Sequence, residues 1–200
     1  MLLLLYEYLI RRKLDAGLLP GELCFMLSEA DLLADPKRVE MVVNWCMEFP
    51  EIKQIIFYID SKNPELLEFV LQYFEFFSDF LSVHLSMPSG EFSSGIGSPA
   101  ILIVLGRSGR EEITEAIAAI AMEGINPEQI TDETIESHLL YHVCPDFVIQ
   151  MSGNHLTDFL IWQSVYSEFY FMAANWCRFQ RLDLLLALLD YQARVRSYGM

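Results

Sequence analysis

Residues 145–171 read PDFVIQMSGNHLTDFLIWQSVYSEFYF and pass from an apolar run through a polar turn into an aromatic segment. The run DFVIQ (146–150) is short and almost continuously apolar, which predicts a buried strand. The turn Ser152-Gly153-Asn154-His155 could present backbone N–H groups to an anion. No Lys or Arg lies between Asp146 and Asp158, so the positive charge expected beside a phosphate is missing.

Similar apolar runs recur toward the N-terminus, with helical patterns between them. We predict buried strands at ELCFML (22–27), IKQIIFYI (52–59) and AILIVL (100–105), and a loop over 87–99. Helices are predicted at the N-terminus, from Asp35 to Met47, over 64–81, from Ser108 or Gly109 to Gly124, over 131–142, and over roughly 180–196. Alternating strands and helices indicate an α/β fold, and we expect a single domain over residues 1–200 with a mostly parallel central sheet flanked by helices.

Composition narrows the possible partners. Of the 200 residues, 53% are hydrophobic, and 13 Lys plus Arg stand against 28 Asp plus Glu, for a net charge of −15. The electrostatic field of such a negative protein repels the phosphates of nucleic acid, so nucleic-acid binding is not expected. The four cysteines are widely spaced and show no CxxC pattern, which favours reduced, buried thiols in a cytoplasmic protein.

The N-terminal segment MLLLLYEYLIRRKLDAG (1–17) predicts an amphipathic helix. Its apolar run is too short for a membrane span, and basic residues follow the run rather than precede it. Two interpretations are open: the helix packs on the domain or on a partner, or it contacts a membrane surface from the cytoplasmic side.

Ligands of such sheets bind beyond the carboxyl ends of the strands. The loops there are Ser28-Glu29-Ala30-Asp31, Asp60-Ser61-Lys62-Asn63, Gly106-Arg107-Ser108-Gly109-Arg110 and the turn at 152–155. The third is a basic strand-to-helix turn, so it is either an anion site or a plain turn with exposed arginines. The spacing of His138 and His142, with Cys144 nearby, permits a metal pair, but no carboxylate signature accompanies it.

The stretch from Pro145 to Phe171, followed by NWCRFQ and ALLDYQARVRSYG, resembles the C-terminal half of the cis-prenyltransferases, the undecaprenyl and dehydrodolichyl diphosphate synthases. Weaker similarity covers LGRSGREEITEAI, FYIDSKN and the segment from LYEYLI to GELCFML. The resemblance implies a cis-prenyltransferase-like α/β fold. It also implies a pathway in which isopentenyl diphosphate extends an allylic diphosphate into a long polyprenyl diphosphate, the precursor of glycosyl carrier lipids such as dolichol.

Several positions depart from the family pattern. Ser28 replaces the aspartate of the family's phosphate loop, Gln150 replaces the arginine at the strand end, and Asn154 replaces a glutamate. Ser197 replaces the arginine of the tail motif, and Arg196 stands one position early. One cation lost beside a phosphate forfeits roughly 4 kcal/mol at an effective dielectric of 20.

These departures predict no catalytic residues and no metal site in this chain, so that it is not an enzyme on its own. The resemblance then implies a non-catalytic accessory subunit, like the Nogo-B receptor-like subunits of heteromeric cis-prenyltransferases. Its partner would be a catalytic homologue, in a heterodimer or heterotetramer that binds isoprenoid diphosphates and holds Mg²⁺ mainly in the partner. Two alternatives stay open: a divergent active cis-prenyltransferase, and a non-enzymatic lipid- or protein-binding module on the same fold.

The resemblance also assigns residues to the complex. Arg194, Arg196 and Gly199 of the tail would contact a diphosphate in the partner's site, and His155 and Glu168 are weak metal candidates. The expected partner interface is aromatic and comprises Phe159, Trp162, Tyr166, Phe169, Tyr170, Phe171 and Trp176.

Overall fold

The computed structural model describes residues 2–14, 19–61, 63, 66, 70, 77–79, 81–87, 90–106, 108–151, 160–173 and 175–194. Most of the helix predicted over 64–81 lies outside these residues. The described helices are α1 (Leu2–Arg11), α2 (Glu29–Ala34), α3 (Lys37–Cys46), α4 (Gly109–Glu123), α5 (Asp132–Glu136) and α6 (Arg181–Ala193). The strands are β1 (Glu22–Ser28), β2 (Gln54–Asp60), β3 (Val83–Met87), β4 (Gly90–Ser94), β5 (Ala100–Leu105), β6 (Phe147–Gln150) and β7 (Glu168–Phe171).

All seven strands form one sheet in the order β4-β3-β5-β2-β1-β6-β7. Every pairing is parallel except that between β3 and β4. The predicted α/β class with a mostly parallel central sheet is therefore confirmed.

The two faces of the sheet pack into separate apolar clusters. In β1, Leu23 and Phe25 belong to the larger cluster, which also takes in residues of α3 and α6. Cys24 and Met26, which point to the other face, join Tyr141 and other residues in the smaller cluster. Because each fully buried large apolar side chain contributes about 1.5–3 kcal/mol, this two-sided burial explains why the central strands are almost uniformly apolar.

Three strands, β3, β4 and β7, were not predicted. The segment 87–99 was expected to be a loop, but β3 and β4 pair across it as an antiparallel hairpin. All five residues of β4 are exposed, so no apolar alternation marks the strand in the sequence. The short strand β7 was missed for a similar reason, because its residues are three partly buried and one exposed rather than alternating.

The helix predicted over 131–142 is much shorter than expected. Helix α5 begins after the capping residue Thr131 and ends at Glu136. Beyond it, the Tyr141 backbone N–H donates to the buried carboxylate of Glu112 at 2.8 Å instead of to a helical carbonyl. A tertiary contact therefore replaces the local helical hydrogen bond.

The N-terminal helix α1 packs against α6 and buries Ile10. Arg181 joins the two helices to the end of α3, because its guanidinium donates to Glu7 at 2.8 Å and to Glu48 at 2.7 Å. Packing on the domain is thus the interpretation that the structure supports. No helix within the described ranges is long and apolar enough to cross a membrane.

Candidate active site

Four strand ends meet at one edge of the sheet. Ser28 at the end of β1 lies beside Asp60 at the end of β2, and Leu105 at the end of β5 lies beside Ile59. On the other side of β1, Gln150 of β6 pairs with Met26. The loops chosen from the sequence therefore converge on the crevice edge where open α/β sheets bind their ligands.

Ser28 caps helix α2 and does not leave the helix N-terminus open. The Asp31 carboxylate accepts from the Ser28 hydroxyl at 2.6 Å and from the Ser28 backbone N–H at 3.2 Å. In return, the Asp31 N–H donates to the Ser28 Oγ at 3.1 Å, which completes a capping box. An internal carboxylate thus stands at the helix N-terminus after β1, where an anion would otherwise bind.

Glu29 reaches from the first loop to the second. Its carboxylate accepts from the Ser61 hydroxyl at 2.6 Å and from the Asn63 side-chain amide at 2.9 Å. The Ser61 Oγ also accepts from the Asn63 N–H at 3.1 Å, which fixes both donors relative to each other. These hydrogen bonds, chiefly that from Ser61 and then that from Asn63, lower the pKa of Glu29. The carboxylate is therefore ionised at neutral pH and held in one orientation.

The sequence reasoning did not assign a role to Glu29. The sequence did place Glu29 directly after one buried strand and Ser61 directly after the neighbouring strand. It could not show that the Glu29 carboxylate accepts hydrogen bonds from Ser61 and Asn63.

The basic turn after β5 repeats the cap seen after β1. Ser108 is the N-cap of α4, the Glu111 N–H donates to its Oγ at 3.2 Å, and the Glu111 carboxylate accepts from the Ser108 N–H at 3.1 Å. A carboxylate therefore caps this helix N-terminus as well, which disfavours an anion site built from its backbone N–H groups and says nothing of the arginine side chains. Arg107 lies outside the described residues.

The turn at 152–155 lies outside the described residues, and the end of strand β6 that precedes it is described. Gln150 is buried, with 8% of its surface exposed, and the Met172 N–H donates to its carbonyl at 2.9 Å. Asn154, His155 and Phe159 lie outside the described residues, as do Arg196, Ser197 and Gly199.

Arg194 is engaged inside the chain. Its guanidinium donates to Glu168 at 3.0 Å, to the Phe169 carbonyl at 2.9 Å and to Asp190. Burial opposes the charge, but the bonds to Glu168 and Asp190 outweigh it and raise the pKa of Arg194. This pairing also neutralises Glu168, so the structure does not favour Glu168 as a metal ligand. The assignment of Arg194 to a diphosphate stays a prediction.

The described aromatic residues that were assigned to an interface fall into three groups by their burial. Tyr166 and Phe171 are exposed, whereas Trp162, Phe169 and Tyr170 are partly buried. Trp176 is fully buried, and its indole N–H donates to the Asp35 carbonyl at 2.9 Å. Trp176 therefore fills the core and does not present its ring to a partner, which corrects that assignment.

The proposed histidine pair is not on one helical face, because α5 ends before both residues. His138 contacts the Thr134 carbonyl at 2.7 Å and Glu123 at 3.2 Å, and the first of these contacts is the main cause of its raised pKa. Within the described part of the chain, no three His, Cys, Asp or Glu residues gather as a metal site. Cys144 is an exposed thiol, contrary to the expectation that all four cysteines are buried.

Comparison with known proteins places these features in context. Residues 95–199 match the family described as "Putative undecaprenyl diphosphate synthase". An isoprenyl transferase of Thermus thermophilus is 44% identical over 108 residues, which cover 48% of this chain and 41% of that protein. The chain thus spans less than half the length of that relative.

A second relative matches over most of its length. A tritrans,polycis-undecaprenyl-diphosphate synthase (geranylgeranyl-diphosphate specific) of Thermoplasma volcanium is 31% identical over 202 residues, covering 81% of this chain and 77% of that protein. In structure, lavandulyl diphosphate synthase from Lavandula x intermedia, solved in complex with dimethylallyl diphosphate, aligns with a TM-score of 0.69 at 21% identity, covering 92% of this chain and all of that one.

These relatives overturn one prediction. The lost family residues led us to expect that the chain is not an enzyme on its own. Relatives that are 31% to 44% identical bear the names of transferases and synthases, which points to an enzyme. The expectation that the chain is not an enzyme on its own is therefore wrong; it judged activity from single replaced side chains.

Proposed function

Because the chain belongs to the undecaprenyl diphosphate synthase family, we propose that it is a divergent, active cis-prenyltransferase. It joins isopentenyl diphosphate to an allylic diphosphate and releases a longer prenyl diphosphate. The observation that carries the proposal is the oriented carboxylate of Glu29, which Ser61 and Asn63 hold at the edge where the strand ends meet.

The reaction defines what this edge must do. The bond between the allylic carbon and its oxygen breaks, and the electron pair leaves with the diphosphate. A carbon–carbon bond forms with the isopentenyl double bond, and a proton leaves the isopentenyl unit. The chain's task is to hold two diphosphates in register and to stabilise the negative charge that grows on one of them.

The donor set at the edge fits a magnesium ion that is bound together with substrate. Mg²⁺ is usually held by one or two carboxylates plus substrate phosphates rather than by a complete protein cage. Glu29 provides one ionised carboxylate, and the two donors that reach it among the described residues, Ser61 and Asn63, are neutral. Mg²⁺ would supply positive charge for the leaving diphosphate. Ser61 and Asn63 would keep the Glu29 carboxylate oriented to hold the Mg²⁺.

Two basic residues stand in the loops that follow strands β2 and β5. Lys62 follows Ser61 directly, and Arg107 follows Gly106 after β5. Their placement lies outside the described residues. We propose that they bind the diphosphates, in place of the arginine that Gln150 replaces.

The test is a prenyl transfer assay with labelled isopentenyl diphosphate, farnesyl diphosphate and Mg²⁺, using the purified chain and its Glu29→Gln variant. We expect turnover by the wild-type chain, a loss of about a hundredfold in kcat for the variant, and no turnover after magnesium is chelated. Glu40→Gln, on helix α3, is the control and should retain wild-type activity. No turnover by the wild-type chain, or equal turnover by both variants, would refute the proposal.

Association with a homologous prenyltransferase also remains a proposal. Tyr166 is 67% exposed and Phe171 is 44% exposed, and large exposed rings of this kind are typical of protein interfaces. The mass of the chain in solution, measured alone and after co-expression with a homologue, tests it. A complex that is lost in Tyr166→Ser/Phe171→Ser supports the pairing, and a monomer under both conditions rejects it.

Peripheral membrane contact by α1 is proposed on similar grounds. Among its described side chains, those of Leu5, Tyr6, Tyr8 and Leu9 are apolar and exposed. Arg12 and Lys13 follow at the end of the helix, and both are exposed. Aromatic and apolar groups beside basic ones suit the surface of an anionic bilayer. Flotation with phosphatidylglycerol vesicles should recover the wild-type chain but not Leu5→Asp/Leu9→Asp, and equal recovery would reject the contact.

A further inference from the structure

A large cavity lies at the opposite end of β6 from the candidate active site. Its volume is about 690 Å³, within the range of small-ligand pockets. Asp146, which lines it, precedes β6, whereas Gln150 at the active-site edge ends the strand. Four residue steps along the strand span roughly 13 Å, so the two places are distinct.

Among the described residues that line this cavity, three carry carboxylates and one, His142, carries an imidazole. Asp132 and Glu136, one helical turn apart on α5, line it together with Asp146. No Lys or Arg is among the described residues that line it. Burial and the nearby charges of Glu22, Glu136 and Asp146 raise the pKa of Cys144, which also lines the cavity.

A buried side-chain amide in the cavity wall lacks, among the residues that the structure describes, a hydrogen-bond donor for its oxygen. Gln163 lines the cavity and is only 7% exposed. Its Nε2 donates to both Glu112 carboxylate oxygens, at 3.0 and 3.1 Å, and to the Tyr141 carbonyl at 3.0 Å. Because those partners can only accept, the nitrogen must face them. The Gln163 Oε1 has no hydrogen-bond partner among the described residues. A buried acceptor of this kind costs about 1–3 kcal/mol unless a donor reaches it.

The remaining wall is aromatic and suits a cation with an organic body. Trp162, Tyr141 and Tyr166 line the cavity beside the carboxylates. Aromatic faces attract cations, and carboxylates favour ammonium and guanidinium groups that carry N–H donors.

We propose that this cavity binds a small organic cation that carries ammonium or guanidinium N–H groups, such as a polyamine. The carboxylates of Asp132, Glu136 and Asp146 balance its charge, the aromatic rings contact its carbon chain, and an N–H group donates to the Gln163 Oε1. This binding does not depend on the proposed prenyl transfer.

Titration calorimetry of the whole chain with spermidine tests the proposal. The variant Asp132→Asn/Glu136→Gln removes two carboxylates from the cavity wall, and both side chains are exposed, so the fold should survive. Its matched control is Glu128→Gln/Glu133→Gln, which changes the net charge equally at exposed residues that do not line the cavity. We expect spermidine to bind the wild-type chain and the control alike and to bind the cavity variant about tenfold more weakly.

A second ligand separates specific recognition from general attraction to an acidic protein. Tetramethylammonium carries charge but no N–H donor, so it should bind more weakly than methylammonium if the Gln163 acceptor takes part. The proposal is overturned if spermidine does not bind, if the control variant weakens binding as much as the cavity variant, or if the two small cations bind equally.

Discussion

The turns after β1 and β5 use the same local chemistry for different ends. In each, a serine caps a helix and an acid three residues later completes the capping box, Ser28 with Asp31 and Ser108 with Glu111. In each, a further carboxylate accepts hydrogen bonds from other segments of the chain. Glu29 does so at a partly exposed edge, whereas Glu112 does so with only 2% of its surface exposed.

The difference between Glu29 and Glu112 is burial, and burial decides what such a carboxylate can do. In a low-dielectric interior, the hydrogen bonds of Glu112 are costly to break and fix the segments that donate them. At the edge, solvent and ligands can still reach Glu29, so its bonds orient a charge that remains available. The first arrangement contributes mainly to stability, and the second leaves a charge available for the proposed reaction.

The largest expected effect comes from breaking the buried arrangement. Glu112→Leu removes the acceptor of the Tyr141 N–H and of one of the two Gln163 amide N–H groups, while the other still donates to the Tyr141 carbonyl. We expect the free energy of unfolding to fall by about 3 kcal/mol, because each unsatisfied donor costs about 1–3 kcal/mol. Urea denaturation measures the change, with exposed Glu115→Leu on the same helix as the control. An equal fall in the free energy of unfolding in both variants would show that the buried hydrogen bonds of Glu112 do not stabilise the fold.

An effect of intermediate size is expected when a hydrogen bond to the partly exposed Glu29 is removed. Ser61→Ala removes the hydrogen bond that contributes most to the lowered pKa of Glu29. The pKa of Glu29 should therefore rise toward its usual value, and carbon-detected NMR titration of the carboxyl group measures it. Because a lowered pKa keeps the carboxylate charged as the pH falls, the variant should lose that charge at a higher pH than the wild type.

The same variant should lose about tenfold in kcat, as is usual when a residue that orients a metal-binding group is removed. Ser167→Ala is the control, because the Ser167 hydroxyl donates to the Pro145 carbonyl and not to Glu29. A Glu29 pKa that does not move in Ser61→Ala would contradict the orienting role.

Sequence patterns predicted the framework because burial leaves a clear periodic signal. The runs at 22–27, 52–59 and 100–105 are apolar on both faces, and all three became central parallel strands. The exposed strand β4 left no such signal. The helix predicted over 131–142 ends early, and the Tyr141 N–H bonds instead to Glu112, which lies 29 residues earlier in the chain. Tertiary hydrogen bonds of this kind cannot be read from local periodicity.

The candidate site was predictable in location but not in chemistry. The rule that ligands bind beyond strand ends selected the loops after residues 27, 59, 105 and 150, and the register brings these loops together. The replaced aspartate at Ser28 suggested an inactive chain. That inference failed because it treated positions one at a time, whereas Glu29 meets Ser61 and Asn63 only in the folded chain.

The smallest expected effect separates the two serine caps. Ser28→Ala and Ser108→Ala each leave a helix N–H without its side-chain acceptor, so each should lower the free energy of unfolding by about 1 kcal/mol. Glu112 is held by burial after its cap is lost, but Glu29 belongs to a helix of only six residues that the cap helps to order. We therefore expect similar shifts of the urea midpoint in the two variants, together with a lower kcat only in Ser28→Ala. Equal kcat values would show that the Ser28 cap does not position Glu29. Both caps would then contribute to stability alone.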